Sequence, residues 1–183
     1  MSPRVIAQRY AQALFDLALK RNEVDTLAGE IQTLLAFYKE SWLLRALLEN
    51  PIYRSQQKLQ WLRPVLADKV SVLLWTFIEL LTRRGREYLL NETCEAFLAL
   101  YDTHKKRLRV QVRSAQPLGD SVRARLAERL RSAFGVREVI LTESIEPSLI
   151  GGLIVEMGTR AADLSVRGRL QEIRKKLLQG HTL

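Results

Sequence analysis

Apolar residues recur at helical spacing through roughly the first hundred positions of this chain. Between Pro3 and Asn22, Ile6, Tyr10, Ala13 and Leu17 form one stripe, and Ala7, Ala11, Leu14 and Ala18 form a second beside it. Ser2 suits the cap of this helix and Pro3 its first position. Two neighbouring stripes are more than a surface helix needs to cover one core. Either the helix is buried on two sides of its own bundle, or one stripe stays open for a partner helix. A second helix follows over Val24–Tyr38, with Leu27, Ile31, Leu34, Leu35 and Tyr38 on one side. A short third, Ser41–Leu48, stops before Asn50-Pro51, because proline disfavours a helical residue in front of it. The fourth, Ser55–Ala67, is ended early or kinked by Pro64. The fifth, Ser71–Arg84, closes at Gly85 with a left-handed cap. The sixth runs from Arg86 to about His104, with Leu89, Leu90, Cys94, Phe97, Leu98 and Tyr101 in phase.

At Lys105 the period changes. Leu108 to Ser114 alternates apolar and polar residues, the pattern of a half-buried strand. After a turn at Pro117-Leu118-Gly119-Asp120 come an amphipathic helix over Ser121–Phe134, ended by Gly135, and a second strand over Val136–Glu143. A turn at Glu146-Pro147-Ser148 precedes a third strand, Leu153–Met157. A final helix spans Asp163–Leu178, its apolar set being Leu164, Leu170, Ile173, Leu177 and Leu178. Segregated helices and strands predict a mainly α chain with a small α+β part: a six-helix bundle over residues 1–104, then a strand–helix–strand–strand–helix domain over 105–183. The boundary is expected near 104–107.

Charge sharpens that division. The net charge of +9 is carried almost wholly by the second part, which holds 16 Lys/Arg against 8 Asp/Glu, compared with 13 against 12 before it. The C-terminal part should therefore meet an acidic partner. The hydrophobic content of 47% supports a real core, and 7% aromatics with sparse Gly and Pro favours helices. A single cysteine, Cys94, rules out an intrachain disulfide framework and makes a reducing compartment the default. With His104 and His181 far apart, no metal set is expected. No signal peptide is visible, and the most apolar stretch, Val70–Leu81, is too short for the roughly 20 residues that span a bilayer. Any membrane association should come through partners.

The residues offer little chemistry. Gly151-Gly152 is an isolated pair without the Lys-Ser/Thr of a phosphate loop, and no Gly-x-Ser-x-Gly elbow occurs. Neither Ser165 nor Cys94 has a sequence-proximal activating partner. No catalytic residue and no cofactor is expected. A basic nucleic-acid-binding module is the alternative reading, since Lys105-Lys106-Arg107 and Arg123, Arg125, Arg129 and Arg131 could meet phosphates. Against it, no helix-turn-helix, zinc or RNP-like pattern is present, and few aromatics sit among the basic residues for stacking.

Two stretches carry a resemblance. Arg9-Tyr10-Ala11-Gln12-Ala13-Leu14-Phe15 resembles the first-helix pattern of the ATP synthase delta subunit family, whose mitochondrial relative is the oligomycin-sensitivity-conferring protein. Pro147-Ser148-Leu149-Ile150-Gly151-Gly152-Leu153, then Asp163-Leu164-Ser165-Val166, then Leu170, resembles that family's C-terminal signature in the same order. Leu48-Glu49-Asn50-Pro51 with Lys58, and Val112 to Leu118, also fit. Two departures are Glu146, where the family often has Asp, and a more basic Leu81–Arg86. The resemblance implies a non-catalytic stator subunit, which resists rotor torque during proton-driven ATP synthesis. Its N-terminal domain would bind N-terminal helical segments of the alpha subunits and its C-terminal domain the far end of the b-subunit stalk. Family members line the alpha site with helices one and five. Here that carries over to Ile6, Tyr10, Ala13 and Leu17, with Thr76 and Leu80 opposite. Pro147, Gly151, Gly152, Asp163 and Ser165 read as structural: the glycines give backbone freedom or close approach, and Asp163 or Ser165 caps the last helix. The implied location is the cytoplasmic face of the bacterial inner membrane, reached only through the complex, with a mature organellar form left open.

Overall fold

The structure is a computed structural model that describes residues 2–50, 52–158 and 160–179; Pro51 and His181, singled out above, lie outside the described residues, as does the side chain of Leu178. The chain divides into two compact units, Met1–Tyr101 and Asp102–Leu183. The division falls three residues before the 104/105 change of period, and Asp102, the first residue of the second unit, is ion-paired to Arg109 of the first strand. In composition the fold is mainly α with a small α+β unit.

The first unit holds α1 (Pro3–Lys20), α2 (Val24–Glu40), α3 (Trp42–Glu49), α4 (Ser55–Leu66), α5 (Val72–Arg83) and, up to Tyr101, α6 (Leu90–His104). Several ends are set by local chemistry. The hydroxyls of Ser41 and Ser71 accept from the Leu44 and Leu74 amides and cap α3 and α5. Ser2 is extended at the start of α1 but makes no side-chain cap; Pro3 alone marks that end. After α5, Gly85 adopts a left-handed φ of 62°, its amide bonded to the Thr82 carbonyl and the Arg86 amide to Leu81, a Schellman closure. Pro64 does not end α4, which continues to Leu66. It sits in the last turn, so the helix forgoes one i→i−4 hydrogen bond there and ends two residues later. The chain before α6 is a 3-10 turn, Glu87–Leu89, rather than the helix expected from Arg86.

The core gathers around α6, whose Leu90, Cys94, Phe97 and Tyr101 are all buried at spacings of four, three and four. Phe15 meets Phe97 edge-on with centroids 5.5 Å apart, and the Tyr101 hydroxyl donates to Asp25 Oδ1 at 2.7 Å. Lys58 is buried and ion-paired to Glu87 at 2.5 Å while also donating to the Leu48 carbonyl, so one cation ties the end of α3, α4 and the turn before α6. Breaking one side of such a pair costs far more than the pair contributes.

The second unit is a four-stranded sheet of order β2-β1-β3-β4. It comprises β1 (Arg107–Ser114), α7 (Asp120–Phe134), β2 (Glu138–Ile145), a 3-10 turn over Pro147–Leu149, β3 (Leu153–Met157), β4 (Arg160–Asp163) and α8 (Val166–Gln179). β1 and β2 are parallel, joined through α7, and the other pairs are antiparallel. Val110 and Val112 of β1, Val155 of β3 and Leu130 of α7 form the core of one face. Three expectations are corrected here. β2 lies two residues later than Val136–Glu143, a fourth strand exists, and Asp163 ends that strand instead of beginning the last helix.

Candidate functional site: two partner-binding faces

On α1 the two stripes part company. Ala7, Ala11, Leu14 and Ala18 are buried in the bundle, and the three alanines leave room for neighbouring helices to approach. Ile6 and Tyr10 are half-buried, and Ala13 and Leu17 are exposed. The bundle therefore does not enclose the helix on both sides. α5 lies beside this stripe: Tyr10 packs edge-on against Phe77 at 6.2 Å, and Thr76 and Leu80 are exposed on the same helix. The polar groups here are satisfied internally. Tyr10 Oη accepts from Arg86 Nη1 at 2.8 Å, with the guanidinium 5.7 Å from the ring centroid, and Thr76 Oγ1 donates back to the Val72 carbonyl. What remains is an open apolar strip with few unspent hydrogen-bonding groups, suited to the apolar face of a helix.

In the second unit the five residues of the C-terminal motif converge on the start of α8. Pro147 opens the 3-10 turn. Gly152 has a left-handed φ of 74°, and a β-carbon there would collide with the Leu164 carbonyl oxygen. That approach lets Leu164 donate its amide to the Leu153 carbonyl and Val166 donate to Gly151. Asp163 Oδ1 accepts from the Ser165 amide at 2.8 Å, and Ser165 Oγ, fully buried, accepts from the Gly168 amide at 2.9 Å. Ser165 is thus the N-cap of α8, and Asp163 positions it. Arg167 Nη1 reaches Ser148 Oγ at 2.8 Å and Arg167 Nη2 lies 3.3 Å from Glu146, which also binds Arg113 at 3.0 Å. Hydrogen bonds from the Ser165 hydroxyl and amide hold the Asp163 carboxyl below its ordinary value. The Ser148 hydroxyl, then Arg113 and Arg167, do the same for Glu146.

Beyond this anchored start, every described side chain of α8 from Arg169 to Leu177 is exposed. Leu170, Ile173 and Leu177 do not cover the sheet. Sequence periodicity identified this apolar set but did not show that it lies outside the core.

The cations of α7 are largely spent within the unit. Arg123 bonds Glu143 and Asp120, Arg131 bonds Glu128, and Arg125 donates to the Ser121 carbonyl. Among the described residues no three His, Cys, Asp or Glu side chains gather to hold a metal, and no helix is long and apolar enough to cross a membrane. Two of the bundle's surface clefts were not legible in the sequence. One, of about 670 Å³, lies between α4 and α5 beside Gln60, Arg63 and Glu79; the other, of about 550 Å³, is lined by Phe37 of α2 and Val65 of α4. Neither assembles a nucleophile with a base.

The family model described as ATP synthase delta (OSCP) subunit matches residues 6–177. The chain belongs to the ATP synthase delta (OSCP) family. It is 35% identical over 98% of both chains to an ATP synthase subunit delta of Lactobacillus johnsonii. It is 36% identical to that of Anaeromyxobacter dehalogenans, over 95% of this chain and 97% of that one. A chain of the Toxoplasma gondii mitochondrial ATP synthase shares the fold with a TM-score of 0.76 at 23% identity, over 94% of this chain and 97% of that one. Delta subunits are non-catalytic parts of the synthase stator. As a member of this family, the chain works as a component of the ATP synthase complex and links its head to the peripheral stalk.

Proposed function

We propose that the two units divide the work of the connector between them. The first takes N-terminal helical segments of the alpha subunits on the strip of Ile6, Tyr10, Ala13 and Leu17 with Thr76 and Leu80. The second takes the C-terminal end of the b-subunit stalk. The complex sits on the cytoplasmic face of the bacterial membrane, and the chain reaches that membrane only through its partners. The observation that carries this reading is the splitting of α1 into one buried and one open apolar stripe. An amphipathic helix laid on the open stripe would bury it, and the α1–α5 edge supplies a wall on either side.

Ala13→Arg tests the first contact. Ala13 is exposed, so the substitution should leave helix content and melting unchanged while weakening binding of an alpha N-terminal peptide by tenfold or more, about 1.4 kcal/mol. An unchanged titration isotherm for a well-folded Ala13→Arg chain removes the contact from this face.

A further inference from the structure

The sheet of the second unit has two unlike edges. β4 is only four residues long and is charged at both ends, which are usual means of keeping an edge from pairing. β2, at the other edge, is eight residues long, Glu138–Ile145, and carries neither lysine nor proline. Its register with β1 runs unbroken from Arg107↔Glu138 to Ser114↔Ile145, so no bulge bends it away. The Glu138 and Glu146 amides donate to the Lys106 and Ser114 carbonyls. Backbone groups alternate in direction along a strand, so those of the even-numbered residues face β1. Those of Val139, Leu141, Glu143 and Ile145 point to the outer edge. Val139 and Leu141 pack against the unit's core, which anchors the strand.

We propose that the β2 edge pairs with the same edge of a second copy of this chain, antiparallel, about a two-fold axis at Ile140. A ladder forms only in registers that set outward-facing residues against each other. Centred on Ile140, the pairing sets Ile140 against Ile140, Val139 against Leu141, Glu138 against Thr142 and Arg137 against Glu143. Apolar side chains meet in the middle and opposite charges at both ends, each a favourable cross-strand pair. Arg137 is exposed and available for this contact. Centring on Leu141 would set Glu143 against Val139, and centring on Thr142 would bring the two Glu143 side chains to diagonal positions. Neither sets opposite charges face to face. Within each copy Glu138 is already matched by Arg107 at 2.6 Å and Glu143 by Arg123 at 2.5 Å, so the edge itself carries little net charge. The surplus of cations on the unit as a whole opposes pairing, but that repulsion is screened beyond about 10 Å at 0.1 M salt. A strand-long contact falls short of the roughly 20–30 residues a side of a standard interface. The dimer is therefore weak. It is independent of the proposed alpha and stalk contacts.

The test is sedimentation equilibrium of the full chain. The unmodified chain should show a monomer–dimer equilibrium with a Kd on the order of 100 μM. Ile140→Lys sets two ammonium groups against each other on the axis, and Arg137→Glu places a carboxylate opposite Glu143. Each should weaken the dimer about tenfold, with the circular dichroism unchanged. Chains with Arg137→Glu mixed with chains carrying Glu143→Arg should pair with each other as the unmodified chains do, because every cross-strand charge is then matched. Ile140→Cys should be trapped as a disulfide dimer by oxidised glutathione, and Ser144→Cys should not, since only Ile140 faces its own copy at disulfide distance. Cys94 is buried and takes no part. A chain that stays monomeric at about 1 mM, a dimer that Ile140→Lys leaves unchanged, a mixture that fails to pair, or equal trapping at Ile140→Cys and Ser144→Cys overturns the proposal. So does binding of a synthetic peptide of residues 136–145 by a chain that does not dimerise, because the edge would then take another protein's strand.

Discussion

Cys94 is enclosed in the core of the first unit, and burial, helped by the neighbouring Glu95 charge, pushes its thiol up to about 12. The thiolate is the reactive form, so a folded chain at pH 8 should scarcely react with an aromatic disulfide reagent, while unfolding in guanidinium should expose one equivalent at once. Rapid native labelling would show that the core opens near α6. The same scale explains why single residues matter so unequally here. Ala13 and Ala11 are two positions apart on one helix, yet one faces solvent and the other is fully buried. Arginine is therefore tolerated at the first and excluded from the second. Lys58 looks like a surface residue by type, yet its ammonium is enclosed and matched by Glu87 and the Leu48 carbonyl.

At the scale of elements, the start of α8 depends on two carboxylates whose folded-state values are depressed. Their contribution is therefore complete above the ordinary carboxylate range and is lost as pH falls through the depressed values. Helix content of the chain should drop in acid as the cap and the Glu146–Arg167 pair are released. In Asp163→Asn with Glu146→Gln that component should be absent. Circular dichroism between pH 6 and about pH 2 reads the difference, and identical acid profiles for the two chains would remove these carboxylates as the cause. Period and turn chemistry made most elements legible in the sequence: the helical stripes of α1, the Gly85 closure and the alternation of β1 were all read from residue types. Arg160–Asp163 was not, because a four-residue strand of Arg-Ala-Ala-Asp has no β-branched or aromatic residue and exists by pairing with β3. α8 was legible as a helix but not as an unburied one. An apolar stripe at helical spacing has the same pattern whether it faces its own sheet or another molecule, and only the packing of the sheet decides between them. The strip on α1 posed the same ambiguity: its neighbouring stripe is buried in the bundle, while the strip itself is half-buried at Ile6 and Tyr10 and exposed at Ala13 and Leu17.

At the scale of the whole molecule, the two units have unequal means of holding themselves together. The first draws its core from all six helices, from Ala11 to Tyr101. The second centres on Val110, Val112, Leu130 and Val155, leaves the side chains of α8 from Arg169 to Leu177 exposed and places β2 at an edge of the sheet. Apolar burial stabilises at roughly 25 cal/mol per Å², and a small unit with a thin core is correspondingly marginal. The second unit should unfold first. The sequence supplies a way to watch this, because all three tryptophans (Trp42, Trp61 and Trp75) and all five tyrosines lie at or before Tyr101. Fluorescence therefore reports the first unit alone, whereas far-ultraviolet circular dichroism reports both. In a guanidinium titration the dichroism should begin to fall before tryptophan emission changes, giving two transitions in place of one. An acidic stalk segment should move only the earlier transition, by linkage to its binding. Because Arg169, Arg174 and Lys176 of α8 are exposed, that shift should shrink as salt rises past about 0.1 M, where the screening length is near 10 Å. An alpha peptide, held by an apolar strip, should move the later transition with little dependence on salt. Coincident transitions by the two probes, with either ligand shifting both together, would mean that the chain folds as one cooperative block, and the division of labour between its units would have to be given up.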